Sequence, residues 1–280
     1  MKVVLFCGGL GTRLREHSDT TPKSLVGIGA RPMIWHLMRY YAHYGHKDFI
    51  LCLGYRGSMI REYFLNYNEA ISNDFTLSNG GRTIDLHSRD LDDWWITFVD
   101  TGLHCNIRQR LLRVRKHVAG EPMFLANYTD GLSDLPLDLQ LAELRTSNAA
   151  ASFAAVSNSQ SFHAVTLDES GRVSRIGMLG DQEVLINGGY FAFRSEIFEF
   201  LNEGEELVEE PFQRLIGAHK LLGFRWRGFW RCMDTFKDKI AFDRMDGRGE
   251  CPWMVWRNGG EGSIQSVPAG HRAQVRSVSH

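Results

Sequence analysis

Apolar runs alternate along the chain with segments in which apolar residues recur every three or four positions. The runs have the length and composition of buried strands, and they cover residues 2–6, 48–53, 96–99, 123–126, 151–156 and 188–193. The helical spacing covers residues 33–44, 59–67 and 137–146. Such alternation is typical of strand–helix–strand crossovers, so we predict an α/β fold with a largely parallel sheet.

The domain organisation predicted from the sequence is simple. No internal repeat, low-complexity run or proline-rich linker divides the chain. Residues 261–280 mix Ser, Gly, His and Arg with little periodicity, as flexible termini do. We therefore expect one domain over residues 1–257 and a flexible C-terminal tail over residues 258–280.

Composition and charge exclude several classes of protein. The 280 residues are 43% hydrophobic and carry 32 Lys and Arg against 33 Asp and Glu, so no global field would attract nucleic acid or an anionic membrane. The first apolar run is too short for a signal peptide, and no window approaches the length of a membrane span. We expect a cytoplasmic protein with no nucleic-acid or membrane partner.

Cysteine and histidine usage gives no sign of a metal centre. The five scattered cysteines lack a Cys-x-x-Cys pair and a histidine at zinc-ligand spacing, so we expect neither structural zinc nor a disulfide framework. We interpret the cysteines as small buried hydrophobic residues. His36, His43 and His46 are interpreted as ordinary surface or half-buried residues.

A glycine-rich turn after the first strand is the strongest local signal. Glycines there let successive backbone N–H groups approach phosphate oxygens, and basic side chains neutralise the remaining charge. The residues of this candidate triphosphate site are Gly8, Gly9, Gly11, Thr12, Arg13 and Lys23. The dinucleotide fingerprint is excluded because Leu14 replaces its third glycine, and no Gly-Lys-Ser or Gly-Lys-Thr follows at P-loop spacing. The alternative is a plain glycine turn with surface cations.

Ordered motifs over nearly the whole chain, up to residue 257, give a family resemblance. They include Gly-Gly-Leu-Gly-Thr-Arg-Leu at 8–14, Val-Asp-Thr-Gly at 99–102, Asp-Gly at 130–131, Ile-Asn-Gly-Gly at 186–189 and Met-Asp-Thr at 233–235. The chain resembles the sugar-phosphate nucleotidyltransferases, and most closely their glucose-1-phosphate cytidylyltransferase branch. The resemblance implies a single Rossmann-like nucleotidyltransferase domain with a mostly parallel, mixed sheet. It also implies a reaction that joins a nucleoside triphosphate to a sugar 1-phosphate and releases pyrophosphate.

The resemblance assigns roles to charged residues and to one further turn. Asp130 and Asp234 match the family's metal ligands, and two carboxylates with phosphate oxygens and waters suit Mg²⁺. Taken alone, each aspartate would be interpreted as a solvated loop residue or a helix cap. Arg13 and Lys23 are the expected catalytic cations, and Thr101 and Gly102 join the expected nucleotide site. No general base is expected, because the acceptor phosphate is already ionised at neutral pH.

The acceptor site is expected at residues that match family positions for sugar hydroxyls. Asn187, Gly188 and Glu210 match these positions. The alternatives are a strand-edge turn for Asn187 and an ion-paired helix start for Glu210. Trp230 is interpreted either as a wall of the acceptor pocket or as a core residue.

Three segments depart from the family pattern. Gly-Met-Leu at 177–179 replaces a Glu-Lys-Pro whose lysine pairs with the sugar phosphate, and Arg175 or His163 could supply part of the lost contacts. Ile-Arg-Gln at 107–109 stands in place of Thr-Gly-Gly. Arg108 and Gln109 add bulk and hydrogen-bond donors near the expected nucleotide pocket, which weakens the case for a preference for cytosine. Asn-Tyr-Thr at 127–129 replaces the more usual Tyr-Gly, which narrows backbone freedom beside the metal.

We therefore predict a Mg²⁺-dependent nucleotidyltransferase with CTP and glucose 1-phosphate as first candidates for the nucleoside triphosphate and the phosphorylated small-molecule acceptor. One alternative keeps the chemistry but uses another nucleotide or acceptor. The other is a non-catalytic nucleotide-binding paralogue. The resemblance also suggests a homo-oligomer, in which the aromatic pair Trp94–Trp95 could lie at a subunit contact or in the core.

Overall fold

The computed structural model describes residues 1–9, 21–157, 163–167, 169, 172–178 and 184–257. The predicted site residues Gly11, Thr12 and Arg13 and the predicted tail 258–280 lie outside the described residues. The strands are β1 (Lys2–Phe6), β2 (Gly27–Ile28), β3 (Arg31–Pro32), β4 (Asp48–Leu53), β5 (Phe75–Ser78), β6 (Thr83–Leu86), β7 (Trp95–Asp100), β8 (Met123–Asn127), β9 (Gly131–Ser133), β10 (Ala151–Ser157), β11 (His163–Leu167), β12 (Val173–Met178), β13 (Leu185–Arg194), β14 (Leu221–Trp226) and β15 (Trp230–Cys232). The helices are α1 (Met33–His43), α2 (Gly57–Leu65), α3 (Ile107–Val114), α4 (Leu137–Thr146), α5 (Glu210–Gly217) and α6 (Phe236–Gly247).

Seven strands form one mixed sheet in the order β14-β10-β13-β8-β1-β4-β7. Strands β7, β4, β1 and β8 pair in parallel, as do β10 and β14, whereas β13 runs antiparallel to both of its neighbours. The chain leaves β1 toward β4 and β7 and then returns to β8 on the other side of β1. Ligand sites in open α/β sheets lie at such a switch point, outside the carboxyl ends of the strands.

The two faces of the sheet carry separate hydrophobic layers. Because side chains alternate along a strand, Val3 and Leu5 of β1 face one layer and Val4 and Phe6 face the other. The first layer includes α1, and the second includes Leu111 of α3. The sheet is therefore covered on both faces, as the near-continuous apolar sequence of β1 requires.

The sequence-based prediction of the fold class is confirmed. All six predicted strands are present with ends displaced by at most three residues, and helix 137–146 has the predicted bounds. The helix predicted over 59–67 begins and ends two residues earlier, because Arg56 adopts a left-handed conformation that starts α2 at Gly57. Short paired strands far apart in sequence, such as β9 and β15, were not predicted. None of the described helices has the length and apolar character needed to cross a membrane.

The interpretation of His36 as a surface or half-buried residue is wrong. Its side chain is 2% exposed within α1. Its Nε2 lies 3.1 Å from the Ile28 carbonyl oxygen, and its Nδ1 accepts a hydrogen bond from the Trp253 indole N–H at 3.3 Å. Burial lowers the pKa of His36 to about 4, so the neutral ring joins α1 to the segment around Trp253.

We expect His36 to make the protein less stable in mild acid. A pKa that rises from about 4 in the folded state to about 6.5 on unfolding means that the unfolded chain binds the extra proton. Stability from this group is complete above about pH 6.5, and about 2 kcal/mol is lost between pH 7.5 and pH 5. Urea unfolding of the wild type and of His36→Gln at both pH values measures this loss of stability. The free energy of unfolding of the variant should depend less on pH. Burial also lowers the pKa of His46 to about 4, but His46 contributes equally in both proteins. Equal pH dependence would contradict the assignment.

Candidate active site

The carboxyl ends of β1 and β8 border a cavity of 570 Å³. Gly8 and Gly9 follow β1, and Thr129 and Asp130 follow β8, so two neighbouring parallel strands deliver their loops to one place. The segment between β7 and α3 forms another wall through Leu103, His104, Cys105 and Asn106. This volume lies within the range of small-molecule sites.

Two glycines are needed where backbone segments approach each other at the cavity floor. A Cβ atom on Gly8 would lie 2.0 Å from Nη1 of Arg110, and one on Gly54 would lie 2.7 Å from the Gly8 carbonyl oxygen. The Gly54 contact is with backbone, so the loop after β4 can approach the loop after β1 only where Gly54 has no side chain, whereas a side chain at Gly8 would displace the Arg110 guanidinium. The glycine turn is thus required for close approach in addition to any contact with phosphate.

Arg110 of α3 is a buried cation beneath this turn, and the sequence analysis did not select it. The residue is 3% exposed and lines the cavity. Its guanidinium donates to Thr101 Oγ1 at 2.7 Å and to the carbonyl oxygens of Gly8, Leu53 and Leu103 at 3.0, 3.2 and 3.3 Å. Burial lowers its pKa, although the neighbouring cysteines oppose the shift. Arg110 thereby fixes three loop segments around one positive charge.

The structure brings three predicted site residues, Lys23, Asp130 and Asp234, into direct contact. The Lys23 ammonium lies 3.2 Å from Asp130 Oδ2 and 2.5 Å from Asp234 Oδ1. Burial disfavours the charged lysine, but the two carboxylates outweigh burial and the pKa of Lys23 is raised. Residues separated by more than 100 positions therefore share one cation at the cavity.

A short strand pair holds the two aspartates together. Strands β9 and β15 pair antiparallel with Gly131 opposite Cys232, and the Met233 N–H donates to the Asp130 carbonyl oxygen at 2.7 Å. Asp130 and Asp234 thus flank a ladder whose register sets their separation. Asp234 also precedes α6, where Thr235 and Asp238 form a reciprocal capping box.

The donor set fits a hard divalent cation. Two carboxylates reach one positively charged group, the Lys23 ammonium, so oxygens from both can approach a single cation. Among the described residues no cluster of three or more His, Cys, Asp or Glu forms a metal cage. Two carboxylates completed by phosphate oxygens and waters are the usual set for Mg²⁺, which rarely takes an all-protein cage.

A second, smaller cavity of 180 Å³ adjoins the first and shares Tyr128, Asp130 and Asp234 with it. Asn187 lines this cavity, but its side chain also accepts from the Gly189 N–H at 2.9 Å and donates to the Tyr128 hydroxyl at 3.3 Å. Trp230 is a wall, with its indole N–H donating to the Gly188 carbonyl at 2.8 Å. The carboxylate pair therefore lies where the two cavities meet.

Two thiols and one hydroxyl in the cavities were missed from the sequence. Burial, assisted for Cys232 by Asp234 and Asp130, raises the pKa of both Cys7 and Cys232 to about 12, so both are neutral thiols at physiological pH. Ser24, adjacent to Lys23, is 2% exposed and its Oγ has no hydrogen-bond partner among the described residues. Ser24 forms part of the wall of the larger cavity, but this oxygen is itself buried.

Several predicted residues lie elsewhere. Thr101 is fully buried, with its hydroxyl donating to the Leu53 carbonyl at 2.7 Å, and neither it nor Gly102 lines the larger cavity. Glu210 is exposed at the first position of α5 and lines neither cavity; it accepts from the Glu206 N–H, which corresponds to the helix-start alternative. Thr101 instead accepts a hydrogen bond from Arg110, and the role of Glu210 toward the acceptor stays a prediction.

The expectation that Arg108 and Gln109 add bulk and hydrogen-bond donors to the nucleotide pocket is wrong. Arg108 turns to the Glu205 carbonyl oxygen at 2.8 Å, and Gln109 forms a capping box with Asn106 at the start of α3. Of residues 107–109, only Ile107 lines the larger cavity. The structure thus removes the sequence-based objection that Arg108 and Gln109 place bulk and donors in this pocket.

The segment expected to carry the acceptor phosphate forms the hairpin β11–β12. In its backbone register His163 lies opposite Met178, Gly177 opposite Ala164, and Arg175 opposite Thr166. Leu179 lies outside the described residues. The roles of His163 and Arg175 stay predictions.

Thr129 has a strained backbone beside Asp130, in the segment 127–129 that departs from the family pattern. Its φ of +63° lies in the left-handed region that β-branched residues rarely adopt. Three contacts stabilise the conformation: the Thr129 N–H donates to Asn127 Oδ1 at 2.9 Å, and its hydroxyl lies 2.9 Å from the Phe6 carbonyl and 2.6 Å from that of Tyr128. The hydroxyl joins the end of β1 to the loop that carries Asp130.

Comparisons with known proteins agree with this geometry. A family model described as nucleotidyl transferase matches residues 2–238. The chain is 34% identical over 259 residues to the glucose-1-phosphate cytidylyltransferase of Salmonella typhi, covering 91% of this chain and 100% of the relative. It is 27% identical to the mannose-1-phosphate guanyltransferase of Yarrowia lipolytica over 86% of this chain and 62% of that protein. A solved UDP-glucose pyrophosphorylase complexed with UDP-glucose superimposes with a TM-score of 0.64 at 14% identity, covering 89% and 98% of the chains.

Replacing the Thr129 hydroxyl should weaken the fold. In Thr129→Val the backbone strain stays but the Phe6 carbonyl loses its donor, which should lower the free energy of unfolding by about 1–3 kcal/mol. Thr129→Ser keeps the hydroxyl and should lose less than about 1 kcal/mol. Urea unfolding of the three proteins measures the difference. A valine variant as stable as the wild type would show that this hydrogen bond is not needed.

Proposed function

Because the chain belongs to the nucleotidyl transferase family, we propose that it joins CTP to glucose 1-phosphate and releases pyrophosphate. The coarser activity, nucleotidyl transfer to a sugar 1-phosphate, follows from the family and from 34% identity over 91% of the chain to a glucose-1-phosphate cytidylyltransferase. The choice of CTP and glucose is taken from that relative and is the part to be tested.

One observation carries the proposal: the Asp130 and Asp234 carboxylates share a cation at the junction of a larger and a smaller cavity. In nucleotidyl transfer an anionic acceptor phosphate attacks the α-phosphorus of an anionic nucleoside triphosphate, and the bond to the departing pyrophosphate breaks, so positive charge is needed around that phosphorus. The larger cavity suits the nucleotide and the smaller one the acceptor.

The residues act by alignment and charge neutralisation. The acceptor phosphate is itself the nucleophile, so no side chain has to remove a proton. Asn187 and Trp230 border the smaller cavity proposed for the acceptor, and Gly8 and Gly9 border the larger cavity proposed for the triphosphate. Because Cys7 and Cys232 are neutral thiols, neither supplies a thiolate for a covalent intermediate.

Mg²⁺ is proposed as the cofactor, held by Asp130 and Asp234. When bound, it would neutralise phosphate charge and help to orient the phosphate oxygens. Lys23 would then turn from the carboxylates to the phosphates around the reacting centre, for which it needs only a side-chain rotation. Arg13 is proposed to hold the leaving pyrophosphate, as the family pattern implies.

The rival functions differ in what they require of the site. An enzyme that used a different nucleotide or acceptor would need the same carboxylate pair and would differ only in its cavity walls, which here include residues 103–107. A non-catalytic paralogue would have no need of two carboxylates on one cation. The cytoplasmic location and the absence of nucleic-acid and membrane partners remain predictions.

We expect pyrophosphate release with CTP, glucose 1-phosphate and Mg²⁺, and CDP-glucose as the product in a mass spectrum. A panel of the four common nucleoside triphosphates with several sugar 1-phosphates provides the test, because cavity walls discriminate substrates whereas the charged centre does not. Release with another pair alone would keep the reaction and refute the specificity. No release with any pair would favour the binding-only alternative.

Asp130→Asn should reduce turnover by at least about 100-fold, because it removes one of two charges that hold the metal and the phosphates. The matched control is Asp134→Asn, four residues along the chain, whose carboxylate accepts from the Trp226 indole N–H and lines neither cavity. The control should retain turnover. Mn²⁺ binding, followed by electron paramagnetic resonance, should weaken only in Asp130→Asn. Equal activity of both variants would contradict the metal assignment.

A further inference from the structure

A half-buried carboxylate that the sequence analysis did not select belongs to the wall of the larger cavity. Glu206 lies between β13 and α5 and borders the larger cavity but not the smaller one. Its charge reaches Tyr128, another wall residue, whose hydroxyl pKa is raised chiefly by burial and in smaller part by Asp130 and Glu206. A carboxylate repels phosphate, so the part of a bound triphosphate nearest Glu206 needs to be something other than phosphate.

Two side-chain hydrogen bonds join the Glu206 segment to the wall formed by residues 103–107. The carbonyl oxygen of Glu205 accepts from Asn106 Nδ2 and from Arg108 Nε, both at 2.8 Å. Asn106 borders the larger cavity and caps the start of α3. Glu206 therefore belongs to the same side of the cavity as the start of α3.

The neighbouring glutamates use their carboxylates differently. Glu205 is ion-paired with Arg214, which donates to Oε1 at 2.6 Å and to Oε2 at 2.5 Å. Among the residues that the structure describes, the Glu206 carboxylate has no cationic partner, and its Oε1 accepts from the Leu207 N–H at 2.8 Å. Because Leu207 is fully buried, this hydrogen bond restrains the carboxylate. A carboxylate is an acceptor only, and Oε2 keeps its capacity to accept from a ligand.

The positive charge proposed to act on the triphosphate comes from other segments of the cavity. Lys23 lies there with Asp130 and Asp234, and the glycine turn at residues 8–9 borders the same space. We propose that Glu206 accepts a hydrogen bond from the nucleoside of the bound triphosphate. This contact holds the nucleoside beside the start of α3 and directs the phosphates toward Lys23. The inference rests on the proposed function, in which the larger cavity holds the nucleotide.

Only the nucleoside carries donors for this carboxylate. An ionised triphosphate presents acceptor oxygens, whereas the ribose has hydroxyl groups and cytosine has an exocyclic amine. Hydrogen bonds to a charged acceptor are stronger than those between neutral groups. A site that hydrogen-bonds a substrate hydroxyl or amine rejects analogues that lack it. Glu206 is thus a specificity-determining residue, toward the ribose if a hydroxyl donates and toward the base if the amine donates.

Equilibrium binding tests this contact without requiring turnover. Isothermal titration calorimetry in Mg²⁺ buffer compares CTP with inorganic tripolyphosphate, which carries phosphates and no nucleoside. Glu206→Ala should weaken CTP binding at least about tenfold, because a charged hydrogen-bond acceptor is lost. The same variant should bind tripolyphosphate as tightly as the wild type or more tightly, because a negative charge has been removed. If another nucleoside triphosphate binds the wild type in place of CTP, it replaces CTP in this comparison.

Two further variants control for charge and for folding. Glu209→Gln removes the same charge three residues along the chain, at an exposed position that borders neither cavity, and should bind CTP like the wild type. Glu206→Gln keeps the size of the side chain and an oxygen for the Leu207 N–H, and should lose less affinity than Glu206→Ala. Urea unfolding verifies that all the variants are folded.

Changes in the ligand identify the donor. If a ribose hydroxyl donates, the wild type should prefer CTP to 2′-deoxy-CTP or 3′-deoxy-CTP, and Glu206→Ala should lose that preference. If the amine donates, Glu206→Ala should instead lose a preference for CTP over UTP. Preferences that are the same in the wild type and in Glu206→Ala would overturn the proposal.

The remaining outcomes separate this inference from the proposed function. CTP binding by Glu206→Ala that is as tight as in the wild type, or tighter, would overturn the inference and leave the transfer reaction standing. Equal weakening of CTP and tripolyphosphate would also overturn it, because Glu206 would then act on the shape of the whole cavity. A wild-type chain that binds none of the four common nucleoside triphosphates would overturn the proposed function together with this inference.

Discussion

Repulsion between two carboxylates is the constraint on which the site depends. Asp130 and Asp234 arrive from distant parts of the chain and lie at one point, where each would disfavour the other without positive charge. In this structure the Lys23 ammonium contacts both. The arrangement is therefore a cation site by construction, and any ligand that brings phosphate there adds negative charge that only a further cation can balance.

The fold delivers these charges through its most rigid parts. Asp130 follows β8, a fully buried strand of the central sheet, and the pairing of β9 with β15 carries Asp234 to it. The glycine turn follows β1, the neighbour of β8, and Thr129 joins the ends of the two strands through its hydroxyl. Side chains held at the ends of paired strands move little, and phosphoryl transfer requires its charged groups to be held in fixed positions.

The sequence predicted the parts of this arrangement that depend on local pattern. Buried strands have a recognisable apolar run, so all the predicted strands are present, and the glycine turn and the two aspartates were found from motifs.

Contacts between distant segments leave no such pattern. The strands β9 and β15 have three residues each and lie about 100 positions apart, so their pairing could not be predicted. Arg110 was not selected from the sequence, and only the structure shows it buried against Gly8. Glu210, matched by motif to an acceptor position, is exposed at a helix start, and its role stays a prediction.

The division between rigid sheet ends and loops also explains where substrate choice must be made. In the proposed function the carboxylate pair and the glycine turn act on phosphate, which every nucleoside triphosphate and every sugar 1-phosphate possesses, so they cannot distinguish among substrates. The base and the sugar can be distinguished only by walls that touch them, and residues 103–106 belong to the connection between β7 and α3. Side-chain substitutions in that connection keep the Leu103 carbonyl oxygen that Arg110 contacts, provided that the backbone and α3 keep their positions. One sheet can therefore support the same transfer reaction with different substrates, and a family fold retained at low sequence identity is the expected result.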